Sequence, residues 1–227
     1  IPAKLTAADG AAGDDFGGSV SIDNGTMVIG AVNDDGSGSA YVFVGSENVW
    51  TQQAKLTASD GAANDSFGVS VGVSGDTIVV GAKLDDDSGL DSGSAYVFVR
   101  TGSTWSQQAK LLAGDGAVDD NFGEAVAIAG DIVVVGVPLD DHNGGGNAGA
   151  AYVFQRDLGG AANWGQRKKL TASEADPTEN FGAAVSLDGD TLAVGAPAHD
   201  GSKGAVYVFE RGLGGGRQLG PEEDTFF

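Results

Sequence analysis

The sequence predicts an all-β protein, a β-propeller built from four-stranded antiparallel blades. Three observations predict it. One unit recurs four times along 227 residues, short valine- and isoleucine-rich runs stand between turn residues, and glycine is abundant at 39 residues. No stretch carries a defensible amphipathic helical period. Aligning the chain on its Phe-Gly pairs places Phe16, Phe67, Phe122 and Phe181 in register, at spacings of 51, 55 and 59 residues. Each is followed in fixed order by Gly30-Ala31, Gly81-Ala82, Gly136-Val137 or Gly195-Ala196. Then come Tyr41, Tyr96, Tyr152 or Tyr207 within a Tyr-Val-Phe triplet, and Trp50, Trp105 or Trp164 ahead of a Lys-Leu pair.

Each unit divides into four strands. The first alternates, as in VSVGV, with Val69, Val71 and Val73 on one face and Ser70 and Gly72 on the other. The second, TIVVGA, is nearly all apolar, which suits a strand covered on both faces. The first and second are joined by Asp23-Asn24-Gly25-Thr26, Ser74-Gly75-Asp76-Thr77 and Asp188-Gly189-Asp190-Thr191, whose central residues tolerate positive φ and make two-residue hairpins. AYVFV is the third strand and QQAKLTA the fourth. The repeats run approximately over 1–50, 51–105, 106–164 and 165–220, and residues 1–227 are read as a single propeller domain or propeller segment.

A four-stranded meander cannot bury both faces alone, so the copies must stack, and radial stacking gives a propeller with one unit per blade. The recurring Phe, Tyr and Trp are expected to fill the space between blades as core.

The FG, VGA and YVF landmarks, with W-x-QQ-A-K-L, resemble the FG-GAP repeat of the integrin α-chain propeller in its short bacterial and archaeal form. The resemblance covers residues 3 to about 211. It implies an extracellular or cell-surface binding module. Integrin-type repeats often carry a calcium loop between the first two strands, but the tight hairpins here are too short to wrap an ion that needs six to eight oxygens. Calcium at that place is not expected.

The strand count is uneven. Four complete sets of first, second and third strands meet five candidates for the fourth: AKLTA at residues 3–7, its three successors, and a degraded GRQLG at 216–220. The opening AKLTA belongs to a blade before Phe16, and GPEEDTFF faintly echoes ASDGAANDSFG. A seven-bladed ring at this period needs roughly 390 residues. The chain is therefore expected to be a fragment or arc of a larger assembly, with a small closed ring as the alternative. An arc leaves two apolar blade faces and strand edges open.

The charge balance is acidic, with 32 Asp and Glu against 12 Lys and Arg and a formal net charge of -20. Such a surface disfavours nucleic acid, which is held by basic groups, and favours cations or basic partners. There is no cysteine, so thiol and disulfide chemistry are excluded and the redox compartment is unmarked. No apolar run is long enough to span a bilayer. The chain opens at Ile1 with no charged-then-apolar leader, as expected of a processed or excised segment.

Blade topology sends the loops between second and third strands to the same side as the loops between blades. Those loops hold most of the acids, and an acidic rim is expected there. Among the blade-to-blade acids are Asp9, Asp14, Asp15, Asp60, Asp65, Asp115, Asp119, Asp120, Glu174, Asp176 and Glu179. Crowded carboxylates need counter-ions, and loops rich in Asp, Asn and Gly supply the hard oxygens that Ca2+ takes. The candidate metal ligands are Asp85, Asp86, Asp87 and Asp91, then Asp140, Asp141 and Asn143, with Asp34 and Asp35. The competing reading makes the Asp-x-Phe-Gly aspartates turn caps and the rest solvated charge. His142 and His199 lack the company of a zinc site and are read as surface residues. There is no nucleophile elbow and no phosphate-cradling loop. Paired acids suggest a glycosidase, but where Asp is this dense the pairing is uninformative.

The expected function is a non-catalytic extracellular binding or adhesion module with a protein or glycan ligand on the acidic face. The alternatives are a structural subunit that assembles through its open blade faces into a filament or ring, or is completed by a partner chain, and a carbohydrate-active enzyme.

Overall fold

A computed structural model of the chain describes residues 3–47, 49–141, 146–172 and 178–212. The four repeats form four antiparallel sheets, each with its strands in sequence order. The first comprises β1 (Phe16–Asp23), β2 (Thr26–Ala31), β3 (Ser39–Ser46) and β4 (Val49–Leu56). The second comprises β5 (Phe67–Ser74), β6 (Thr77–Ala82), β7 (Ser94–Thr101) and β8 (Thr104–Leu111). The third comprises β9 (Ala125–Ala129), β10 (Ile132–Val137), β11 (Ala150–Arg156) and β12 (Trp164–Leu170). The fourth has three strands among the described residues, β13 (Ala184–Asp188), β14 (Thr191–Ala196) and β15 (Ala205–Glu210). The expected outer strand GRQLG lies outside the described residues, and residues 3–7 lie outside any strand.

The hairpins form as their residues dictate. Asp23 pairs with Thr26 across Asn24-Gly25, both at positive φ, which matches the right-handed twist of the flanking strands. Ser74 pairs with Thr77, and Asp188 with Thr191, across Gly-Asp turns in which the glycine alone is at positive φ. The innermost strands β1, β5, β9 and β13 lie side by side and line one axial cavity of about 330 Å³.

The core sits between blades. Phe67 packs edge-on against Tyr96 and Phe98, at centroid distances of 5.5 and 6.0 Å, and Phe16, Phe122 and Phe181 repeat the arrangement with their own Tyr and Phe. Against that face the preceding blade lays Val28, Ala40, Val42 and Leu56. Trp105 and Trp164 are buried and reach the preceding blade's outer strand, their indole N–H groups donating to Gln53 and Gln108 at 2.9 Å. The aromatic landmarks are therefore core, as the repeat implied.

One backbone joint recurs at every junction. The Phe67 N–H donates to the Ser37 carbonyl at 2.9 Å, Phe122 does the same to Ser92 at 2.9 Å, and Phe181 to Ala148 at 3.0 Å. Gly68 follows at φ +91° with its carbonyl against Gly30 of the preceding blade, where any β-carbon would overlap it. Gly81 meets Gly123, and Gly136 meets Gly182, on the same terms. The FG and VGA landmarks are thus the two halves of one contact, which only glycine permits.

Candidate functional site

The loops that begin each blade pack on the β2–β3-type loop of the blade before. Asn64 donates to the Gly36 carbonyl at 2.7 Å, Asp119 to Leu90 at 2.9 Å and Asn180 to Asn147 at 3.3 Å. This brings together acids that are far apart in sequence.

At the base of each loop pair one aspartate is buried. Asp34, Asp85 and Asp140 are each about 3% exposed or less, and each faces a lysine from its blade's outer strand. Lys55 lies 2.7 Å from Asp34, Lys110 is 3.0 Å from Asp85, and Lys169 is 2.8 Å from Asp140. The sheet register explains the placement. Tyr41 stands opposite Lys55, Tyr96 opposite Lys110 and Tyr152 opposite Lys169, so each ammonium lies over a phenol ring at 5.4, 5.1 and 5.2 Å. The Tyr96 and Tyr152 hydroxyls donate to Asp85 and Asp140 at 2.9 and 2.7 Å, and Ser39 and Ser94 donate to Asp34 and Asp85 at 2.5 and 2.8 Å.

The same lysines collect further carboxylates. Lys55 also binds Asp9 and Asp35, at 2.9 and 2.7 Å, Lys110 binds Asp60 at 2.9 Å and Asp87, and Lys169 binds Asp115 at 2.7 Å. Burial alone would raise Asp34 and Asp85, but the lysine and serine donors, joined at Asp85 by the Tyr96 hydroxyl, hold both below the ordinary carboxylate value. Burial would likewise lower Lys110, and its carboxylate and phenol partners raise it instead.

A second set of acids caps turns. The carboxylates of Asp14, Asp65 and Asp120 accept the N–H groups of Ala11, Ala62 and Ala117 at 2.5, 2.6 and 2.7 Å. This is the turn-capping role weighed for the Asp-x-Phe-Gly aspartates. Burial pushes Asp120 up to about 6, with the charges of Asp140 and Asp141 adding to the effect, and burial also raises Asp65. In the fourth blade the equivalent acid is Glu179, fully buried, with His199 Nδ1 at 2.8 Å and the Tyr207 hydroxyl at 3.2 Å. His199 is thereby a partner of a buried carboxylate rather than a bare surface residue.

The candidate metal ligands are distributed over these roles. Asp34, Asp85 and Asp140 are the buried lysine partners, and Asp35 and Asp87 are their exposed companions. Asp86 accepts the Asp91 N–H at 2.8 Å, and the Asp91 carbonyl accepts from Asn121. Asp141 is exposed, and Asn143, like His142, Glu174 and Asp176, lies outside the described residues. Among the described residues no group of three or more His, Cys, Asp or Glu side chains is arranged to hold a metal. Asp34, Asp85 and Asp140 are instead each occupied by a lysine ammonium. The lysines escape a reading of the loops because they lie on the outer strands β4, β8 and β12. The signal was the lysine of AKLTA, AKLLA and KKLTA, present in every repeat.

The chain was compared with known proteins. The crystal structure of Saccharomyces cerevisiae Sqt1 superposes over 88% of this chain and 46% of its own, with 10% sequence identity and a TM-score of 0.49; the chain thus spans less than half the length of that protein. The sequence model of the FG-GAP repeat matches residues 2–43, 50–98, 105–154 and 164–209. With those four matches covering most of its length and meeting at the glycine joints described above, the chain belongs to the FG-GAP repeat family.

Proposed function

We propose that this protein is a non-catalytic, extracellular or cell-surface binding module whose loop ends present an acidic rim to a basic protein surface. The supporting observation is the surplus of carboxylate around each lysine. Lys55 faces three aspartates, one of them Asp35, whose side chain is 75% exposed, and Lys110 faces three with Asp87 outermost. The deep carboxylates fix the loops, and the outer ones face water. Such a rim steers cationic ligands, and the interaction is screened by salt. Membership of a family typical of extracellular proteins supports the location. Among the described residues no helix is long and apolar enough to cross a membrane.

The test is binding of the immobilised protein to panels of basic and acidic peptides and of glycans, at low and high salt and with and without calcium. Basic peptides are expected to bind, to weaken as salt rises, and to lose affinity to a Asp35→Asn/Asp87→Asn variant. Binding indifferent to salt and to that variant would refute the reading, and so would turnover of any polysaccharide offered. Calcium titrated into metal-stripped protein is expected to give neither heat nor a rise in melting temperature. Either signal would restore calcium to the rim.

A further inference from the structure

Among the described residues, the joint made three times inside the molecule is left half-made at both ends. On the fourth blade, Gly195 and Gly204 occupy the places of Gly30 and Gly38. At Gly30 and Gly38 an added β-carbon would overlap Gly68 and Phe67 of the next blade; at Gly195 and Gly204 it would meet nothing closer than 3.5 Å. A cleft of about 580 Å³ opens there, lined by Ala184, Gly195, Ala196, Pro197, Gly204 and Ala205. Beside it Val206 and Val208 are 68% and 54% exposed, where their counterparts Ala40 and Val42 are 0%.

The first blade carries the complement. Gly17, at φ +100°, meets nothing within 4 Å, whereas its counterpart Gly68 is seated against the Ser39 carbonyl. Val20 and Ile22 are 65% and 60% exposed, while Val71 and Val73 at the same places in β5 are 8% and 6%. Residues 3–7 repeat the end of an outer strand. Leu5 and Ala7 pack on the first blade's face beside Phe16, Tyr41 and Phe43, with no sheet of their own. The fourth sheet is the one with three described strands.

We propose that these ends are the two halves of one intermolecular joint, so that a second copy of this chain docks its first blade on the fourth blade of the first. The open faces continue an interface the molecule already builds three times. Phe16-Gly17 of the second copy enters the cleft, its amide reaching the Lys203 carbonyl as Phe67 reaches Ser37. A head-to-tail contact of this kind closes into a ring where the rotation allows and otherwise grows as an open series. Two copies would make a ring of about eight blades, within the range propellers adopt. The inference is independent of the ligand on the rim.

The decisive variant is Gly195→Val in the full chain. Its β-carbon meets nothing closer than 3.5 Å in the single molecule but stands in the place of the incoming glycine. Light scattering over a wide range of concentration should show the wild type associating and Gly195→Val associating roughly tenfold more weakly or worse, with an unchanged thermal melt. Val208→Lys, on an exposed position, should do the same and serves if Gly195→Val fails to fold. A wild type that stays monomeric throughout, or two variants that associate as well as it does, would overturn the proposal. Association that appears only after removal of residues 213–227 would assign the cleft to the chain's own tail and overturn it equally.

Discussion

Lys110 gathers Asp60, Asp85 and Asp87 and stacks on Tyr96, so its removal shows what the loop acids are for. Lys110→Met leaves Asp85 buried without its cation. A buried charge stripped of its partner costs about 3 kcal/mol or more, and the midpoint of denaturant unfolding should fall accordingly; an unchanged midpoint would show the lysine to be incidental. Asp120 runs the other way. Its folded value of about 6 lies above the unfolded one, so the stability it contributes is fully present below about pH 4 and is lost as pH rises through about 6. Asp34, Asp60, Asp85 and Asp115 are lowered, so theirs is present above about pH 4 and lost as pH falls through their folded values. The wild type should therefore be most stable between about pH 4 and 6. Asp120→Asn, which keeps an oxygen for the Ala117 N–H, should be more stable than wild type at pH 7 by about 2 to 3 kcal/mol. The difference should vanish near pH 4, as unfolding midpoints at both pH values would show. At this scale the acids were legible but their partners were not. Lys55 and Asp34 are 21 positions apart in the numbering, and only the pairing of Tyr41 with Lys55 brings them together.

At the scale of the element, the strands and hairpins could be read from the chain because each is specified locally. A run such as TIVVGA ends where its apolar residues end, and Thr77–Ala82 is the observed strand. The glycine that closes each such strand was visible only as a landmark. Its reason is the next blade's carbonyl, a contact absent from local sequence. The difference gives a paired experiment. Gly81→Ala forces a β-carbon into the Gly123 carbonyl, a backbone group with no flexible end to yield, and against the Ser70 hydroxyl. Overpacking of that kind costs typically 1 to 3 kcal/mol, and about 3 is expected here. Gly195→Ala stands at the homologous place with only ordinary van der Waals neighbours and an ordinary φ. It should stabilise the isolated chain by about 0.5 kcal/mol through the unfolded state. Melting curves at low protein concentration measure both, and equal losses in the two variants would refute the joint as described.

For the molecule as a whole, stability in a stack of repeats is a sum of blades and of interfaces between neighbours, so a blade with one neighbour is weaker than a blade with two. Among the described residues the junction glycines at the two ends, Gly17 and Gly195, lack the close neighbours that their inner counterparts have. The gradient is visible in burial. Strands β6 and β10 are buried along their whole length, whereas β14 and β15 alternate between buried and open positions. Amide hydrogen exchange reads such a gradient directly, because local opening scales with the contacts that must be broken. The amides of β6 and β10 should exchange slowest and those of β14 and β15 much faster, at low protein concentration. Raising the concentration should slow exchange in β14 and β15 selectively, since a second copy would cover them and leave β6 and β10 as they were. Uniform protection across the four sheets at low concentration would mean that the fourth blade already has its neighbour, and the open-ended description of the molecule would be wrong.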